Sequence, residues 1–373
     1  MTTATTTPTT TATTTAATSA PPATATPPAP AAIAHFHAFA ALAARARLEP
    51  FEYEPLPLGD DDVEIAITHC GVCHSDAHLV DDEWGISSFP LVPGHEIVGR
   101  VEAKGRRVRH LATGDLVGVG WTRDACLHCH ECLVGNEHLC LATQGTCVGH
   151  FGGFADRMRV SGEWAFRIPD GLDAAATAPL LGAGATVYGA LLAAGARAAM
   201  RVGVCGLGGL GHLAVRFARA MGCEVTVFSG TTDKRDDALA LGAHHFIAPG
   251  WESAASAFDD IVLATSPTAP DWNALLRRLR PNGTLVVLGP VGATVAAEGM
   301  PLVSGRRRIM GSCAAGRATI HEMLAFAARH RIGAQVERFA FTDAAAALDR
   351  AREGKARYRV VLERELAEAR EPR

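Results

Sequence analysis

The stretch at residues 201–229, RVGVCGLGGLGHLAVRFARAMGCEVTVFS, restricts the possible folds of this chain more than any other. A short apolar run meets glycines at Gly206, Gly208 and Gly211, the first, third and sixth places of G-x-G-x-x-G, and continues through helical text into a second apolar run. That order spells a βαβ unit. The first glycine permits a tight turn, the second lets backbone approach a pyrophosphate, and the third lets helix and strand pack closely. The helix N-terminus adds amide donors and positive potential. Gly206, Leu207, Gly208, Gly209, Leu210 and Gly211 are therefore candidate dinucleotide-binding residues. Further apolar runs at 260–264 and 284–288, with helical text between them, extend the unit into a parallel doubly wound sheet, an α/β fold.

About 20 residues beyond the fingerprint, an NAD site usually places an acid against the ribose hydroxyls. Here that place holds Ser229, followed by hydroxyls at Thr231 and Thr232 and positive charge at Lys234 and Arg235. A 2′-phosphate suits this set, and a carboxylate would repel it, so NADP(H) is favoured over NAD(H).

Upstream, Cys126, Cys129, Cys132 and Cys140 form C-x2-C-x2-C-x7-C. Four thiolates complete the tetrahedral shell of zinc and leave no place for water or substrate, so this site is structural. Cys73 in CGVCHSDAH and His95 in VPGHEIVGRV, with Glu96 adjacent, form a sparser mixed set that leaves an exchangeable position. The chemistry belongs there. His128, His130 and His138 within the four-cysteine segment have no place on a saturated ion and are expected to face solvent. Cys70, Cys147, Cys205, Cys223 and Cys313 are expected to act as small apolar packing residues.

Between about residue 35 and residue 182, short β-rich runs are separated by Gly, Pro and Asp, the text of a compact β-rich domain. Residues 1–33 are almost wholly Thr, Ala and Pro, too poor in apolar side chains to offset their ordering entropy, and are expected to be a disordered tail. They have neither the apolar middle of a signal peptide nor the arginines of a presequence. A 48 % hydrophobic composition without a long apolar run, and a formal net charge of −4, predict a globular cytoplasmic protein with neither nucleic acid nor membrane as partner.

CGVCHSDAH, PLVPGHEIVGRV, GDLVGVG, the four-cysteine segment, GGFADRMRV, APLL, TVYGAL, GLGGLGH and ARYRVVL together resemble the zinc-containing medium-chain alcohol dehydrogenases. Within that family they are most similar to the cinnamyl alcohol dehydrogenase-like group that includes broad-specificity bacterial aldehyde reductases. The resemblance implies a GroES-like β-rich catalytic domain at 34–182, a Rossmann cofactor domain at 183–316, and a return of residues 317–373 to the catalytic domain. It implies a catalytic zinc on Cys73 and His95, with Glu96 a direct or adjacent partner, and a structural zinc on the four cysteines. Ser75 and His78 take the proton-relay places, and Asp76 orients His95. Thr186, Thr265, Gly289, Ser312, Cys313 and Ala314 fall along the cofactor. The implied activity is hydride transfer between NADP(H) and a small alcohol or aldehyde, in a homodimer or homotetramer.

The chain departs from the family at one decisive place. Relatives carry a second zinc thiolate in APLLCAG, whereas this chain reads APLLGAG, with Gly182 offering no side chain. Glu96 is the leading replacement ligand. Two other readings stay open: a zinc-free quinone or enoyl reductase-like enzyme, and a non-catalytic NADPH-binding protein. Trp84, Trp121 and Leu302 are candidates for shaping the substrate pocket.

Overall fold

Strands at Arg201–Cys205 and Asp259–Ala264 place Val202, Val204, Val262 and Leu263 beyond the reach of solvent, as expected for a sheet covered on both faces. The computed structural model describes Met1 and residues 35–248, 250, 259–266, 268–289 and 294–364. The tail reading for residues 1–33 falls, apart from Met1, outside the described residues.

Among the described residues, six parallel strands run across the cofactor half in the order His245–Ile247, Glu224–Phe228, Arg201–Cys205, Asp259–Ala264, Leu279–Val287 and Arg308–Gly311. Numbered along the chain, this is the 3-2-1-4-5-6 order of doubly wound dinucleotide folds. The order reverses between Arg201–Cys205 and Asp259–Ala264, which opens a crevice at their carboxyl ends. Gly206 follows one strand and Thr265 the other, and the Thr265 hydroxyl donates to the Gly206 carbonyl at 2.7 Å across that switch point. Gly206 turns with φ +98°, a conformation open to glycine. A Cβ at Gly211 would overlap the Gly206 carbonyl, so helix and turn can pack this closely only through glycine.

The second sheet is built around the long strand Asp62–Val72. Its order is Val336–Ala340, Arg359–Glu363, Asp62–Val72, Glu96–Lys104, Leu116–Val119 and Phe166–Arg167, with Arg157–Ser161 also paired to Asp62–Val72. Among the described residues, the last strand thus lies beside one of the first, with Val360 opposite Val72. Packed against the helices Gly211–Ala220 and Arg317–His330, the helix Ala183–Ala193 buries Ala185, Val187, Tyr188, Ala190 and Leu191. A helix apolar on most of its faces must be enclosed, and this one brings Gly182, just before it, against the second sheet.

Three consecutive residues tie the halves together. Arg357 pairs with Asp233 at 2.7 Å and with Asp237, while the Tyr358 hydroxyl donates to Asp237 at 2.7 Å. The Tyr358 ring stacks on His212, with centroids 5.0 Å apart, and Arg359 reaches into the second sheet. Among the described residues, no single helix is long and apolar enough to cross a membrane.

Candidate active site and metal centre

Strand Asp62–Val72 ends where Cys73 caps the helix His74–Val80. The Cys73 amide donates to Asp76 Oδ2 at 2.8 Å, satisfying one donor at the helix start. The other oxygen, Oδ1, accepts from the Gly94 amide at 2.9 Å and lies 3.0 Å from His95 Nδ1. One fully buried carboxylate therefore joins the two short motifs that were separate in sequence. With Nδ1 held by Asp76, Nε2 is the ring nitrogen left to meet a metal, which would displace its proton. Burial opposes a charge on His95, but Asp76, Cys147 and Cys73 outweigh it and hold its pKa well above the ordinary imidazole value. Burial also opposes ionisation of Cys73, yet Arg359 and the His95 hydrogen bond bring its thiol below the ordinary range.

Glu96 opens the strand Glu96–Lys104 and is fully buried. Its carboxylate occupies a slot between two glycines: a Cβ at Gly71 or at Gly182 would collide with it. Oε1 accepts from the Ala183 amide at 3.1 Å, and Oε2 accepts from Arg359 Nη2 at 2.5 Å. The space that Gly182 leaves open is filled by this side chain. Cys73, His95 and Glu96 present donor atoms within 4.8 Å of one another, a thiol, an imidazole and a carboxylate. Cys126, Cys129, Cys132 and Cys140 do the same with four sulfurs; a backbone hydrogen bond at His128 and another at Cys129 pull the Cys126 thiol down to about 6.

A cleft of ≈ 720 Å³ runs from Cys73 and His95 to the nucleotide fingerprint. Ser75 and His78 line it, as do Trp84 and Trp121, whose rings meet edge to face. Ser75 Oγ is 3.7 Å from Cys73 Sγ, and His78 Nδ1 is held by Glu83 Oε2 at 2.6 Å. Residues 206–210 line the far end, and Gly211 packs beneath them. Ser229, Thr231 and Lys234 face the cleft, with Lys234 Nζ donating to the Leu207 carbonyl at 2.9 Å. Arg235, the first residue of the helix Arg235–Ala240, is exposed and does not line it. Thr265, Gly289, Ser312, Cys313 and Ala314 complete the opposite wall, where Thr186 Oγ1 accepts from the Ala314 amide at 3.2 Å.

Four expectations need correction. His138 lines the cleft instead of facing solvent, because its short 3₁₀ turn, Glu137–Leu139, is pinned by Glu137 to Arg317; burial lowers its pKa. His128 and His130 are exposed. Leu302 packs on the cluster around Trp272 and Leu275, away from the cleft. Cys313 is exposed in the cleft, and Cys147 is buried against His95, so neither is mere packing. Sequence reasoning missed Arg359, although a lone charge within the apolar run YRVVL was a signal, since a charge at a core position needs a partner.

A fingerprint at the switch point of a parallel sheet, facing a mixed thiol, imidazole and carboxylate set across one cleft, defines a nucleotide-dependent oxidoreductase. The alcohol dehydrogenase GroES-like domain matches residues 59–170, and the zinc-binding dehydrogenase domain matches residues 209–329. The chain belongs to the zinc-binding alcohol dehydrogenase family. It is 44 % identical to the aldehyde reductase AdhA of Synechocystis over 87 % of this chain and 98 % of that protein. It is 40 % identical to the probable cinnamyl alcohol dehydrogenase 8A of Oryza sativa, over 87 % of this chain and 94 % of that one. Among solved structures, a cinnamyl alcohol dehydrogenase of Sorghum bicolor superposes with a TM-score of 0.84 at 35 % identity, covering 88 % of this chain and 98 % of that chain. The Helicobacter pylori cinnamyl alcohol dehydrogenase complexed with NADP(H) gives 0.82 at 31 % identity, covering 88 % and 98 %.

Proposed function

We propose that this chain is an NADP(H)-dependent aldehyde reductase and alcohol dehydrogenase whose catalytic zinc is held by Cys73, His95 and Glu96. The observation that carries the reading is the convergence of these three donors beside the fingerprint cleft, with Glu96 lodged where Gly182 leaves room. The donor set fits zinc: one soft and two borderline or hard ligands, with a fourth position open to the cleft. When bound, zinc polarises the substrate oxygen and the reduced nicotinamide supplies hydride.

The chain's own groups do the rest. Asp76 fixes the His95 tautomer and the Cys73 amide together, so one carboxylate sets the geometry of two ligands. Ser75 and His78 stand three residues apart on one helix and share a face, so a proton can pass from Ser75 at the substrate oxygen to His78. Glu83 engages His78 Nδ1 and leaves Nε2 as the carrier. Ser229, Thr231 and Lys234 supply the donors that a 2′-phosphate needs, and the NADP(H) complex of the Helicobacter pylori relative supports that preference.

The Glu96–Arg359 pair favours a second reading: a charge-balanced centre without metal, which would leave a cofactor-binding protein. Metal analysis with an aldehyde panel separates the two. Two zinc ions per chain and benzaldehyde reduction faster with NADPH than with NADH support the first reading; one zinc and no turnover overturn it. We read the domains as 34–182, 183–316 and 317–373, supported by the pairing of Arg359–Glu363 with Asp62–Val72. A homodimer or homotetramer is supported by the edge position of strand Arg308–Gly311 and by exposed Met300 and Val303 on the neighbouring helix.

A further inference from the structure

The imidazole of His212 occupies a place where packing alone asks for an apolar side chain. It is the second residue of the helix Gly211–Ala220, fully buried, with its ring stacked on Tyr358. Burial pushes its pKa down to about 3, so at neutral pH the ring carries no charge. One ring nitrogen then bears the proton and the other a lone pair. Nδ1 lies 3.0 Å from the Gly208 carbonyl, which can only accept, so Nδ1 donates. Nε2 keeps the lone pair and has no hydrogen-bond partner among the described residues. Half of the ring's bonding capacity is forgone, and the hydrogen bond it does make goes to Gly208.

That carbonyl takes a second donor from the same residue, the His212 amide at 3.0 Å. In a planar trans peptide the carbonyl and the amide that follows it point opposite ways. Drawing the Gly208 oxygen back toward the helix therefore turns the Gly209 N–H outward, and Gly208 and Gly209 both line the cleft. The Gly209 amide has no partner among the described residues, as is usual for donors at a helix start. Two adjacent glycines leave the peptide between them free to rotate, and a Cβ at Gly208 would meet only open space, so no neighbouring wall limits the turn there. The orientation of this peptide needs a holder, and His212 supplies one.

We propose that His212 is a positioning residue for the cofactor: by pinning the Gly208 carbonyl it holds the Gly209 amide toward the pyrophosphate of the bound dinucleotide. This role rests on the dinucleotide-binding reading of the fingerprint, and it involves neither zinc nor substrate. Tyr358 gains a further part in it, because the ring stacked on His212 fixes the plane of the imidazole.

Two variants separate the hydrogen bond from the packing. His212→Phe keeps an aromatic ring against Tyr358 and loses the donor; His212→Asn gives up the ring and keeps an amide donor near the place of Nδ1. Affinities for NADPH and NADH are read from nicotinamide fluorescence. That for adenosine 2′-monophosphate, which has no pyrophosphate, is read from its displacement of NADPH. In His212→Phe both dinucleotides should bind about tenfold more weakly, the worth of one hydrogen bond, while adenosine 2′-monophosphate binds as it does to the wild type. His212→Asn should recover most of that loss. In phosphorus NMR spectra of the NADPH-saturated protein, the pyrophosphate resonances should move between wild type and His212→Phe, and the 2′-phosphate resonance should stay. Undiminished dinucleotide affinity in His212→Phe, an equal loss for adenosine 2′-monophosphate, or an Asn variant no better than the Phe variant overturns the proposal. Should His212→Phe fail to fold, His212→Leu takes its place in each comparison. Tighter binding of NADH than of NADPH, with equal losses for both in His212→Phe, would retain His212 and reject the 2′-phosphate reading; a preference for NADPH with no loss in the variant would do the reverse.

Discussion

Gly182 and Glu96 compete for one volume, and that competition is the chemical peculiarity of this chain. The carboxylate lies between Gly71 and Gly182 because neither offers a Cβ, and two donors, the Ala183 amide and Arg359, hold it there. A Gly182→Cys substitution must push the Glu96 side chain aside while restoring a thiolate. If Glu96 is the substitute ligand, Glu96→Gln should speed zinc loss to a chelator about tenfold or more in the wild type. In the Gly182→Cys background it should do so much less. A colorimetric zinc-release assay on the four proteins reads the cycle directly; equal effects in both backgrounds would remove Glu96 from the ligand set. Cys73, His95 and the four cysteines could be found in sequence because ligand types and spacing announce themselves. For Arg359 the lone charge in YRVVL signals only that a partner is needed, and which partner depends on a strand pairing of residues about 290 positions apart. His138 was misread for the same reason: nothing local says which way a 3₁₀ turn faces.

The strands of the cofactor half were legible wherever β-branched runs were uninterrupted. Leu279–Val287 begins five residues earlier than its text suggests, because Pro281, Asn282 and Gly283 read as a turn, and here they form a bulge opposite Asp259–Ala264. Asp259, at the head of its strand, is buried beside Arg278 at 3.4 Å, and burial pushes its pKa up to about 6 from 3.8 despite that partner. Because the folded state raises this pKa, its contribution to stability is complete below 3.8 and is lost as pH rises through 6. The unfolding free energy of the wild type, measured against Asp259→Asn by urea denaturation, should therefore fall by about 3 kcal/mol between pH 3.5 and pH 7. A flat difference across that range would show that Arg278 cancels the burial cost.

At the scale of the molecule, the fold was largely readable: a parallel sheet followed from the fingerprint, and a second β-rich sheet from short runs between turn residues. How the halves are joined was not, because Arg357, Tyr358 and Arg359 look like the ordinary start of a terminal strand. Tyr358→Phe deletes one hydroxyl bonded to Asp237 and should lower the unfolding free energy by about 1–2 kcal/mol. Paired with Asp237→Asn in a double-mutant cycle, it should show a coupling that two independent surface changes would lack. Additive effects would mean that the bond carries no weight between the halves.

The same tripeptide has a consequence for anyone who wishes to retune this enzyme. Asp233 and Asp237 flank Lys234, the residue proposed to meet a 2′-phosphate, and both grip Arg357, two residues from the guanidinium that steadies Glu96. A change around Lys234 therefore transmits to Glu96, beside Cys73 and His95, through a lever three residues long, and the two ends of the cleft will have to be optimised as one.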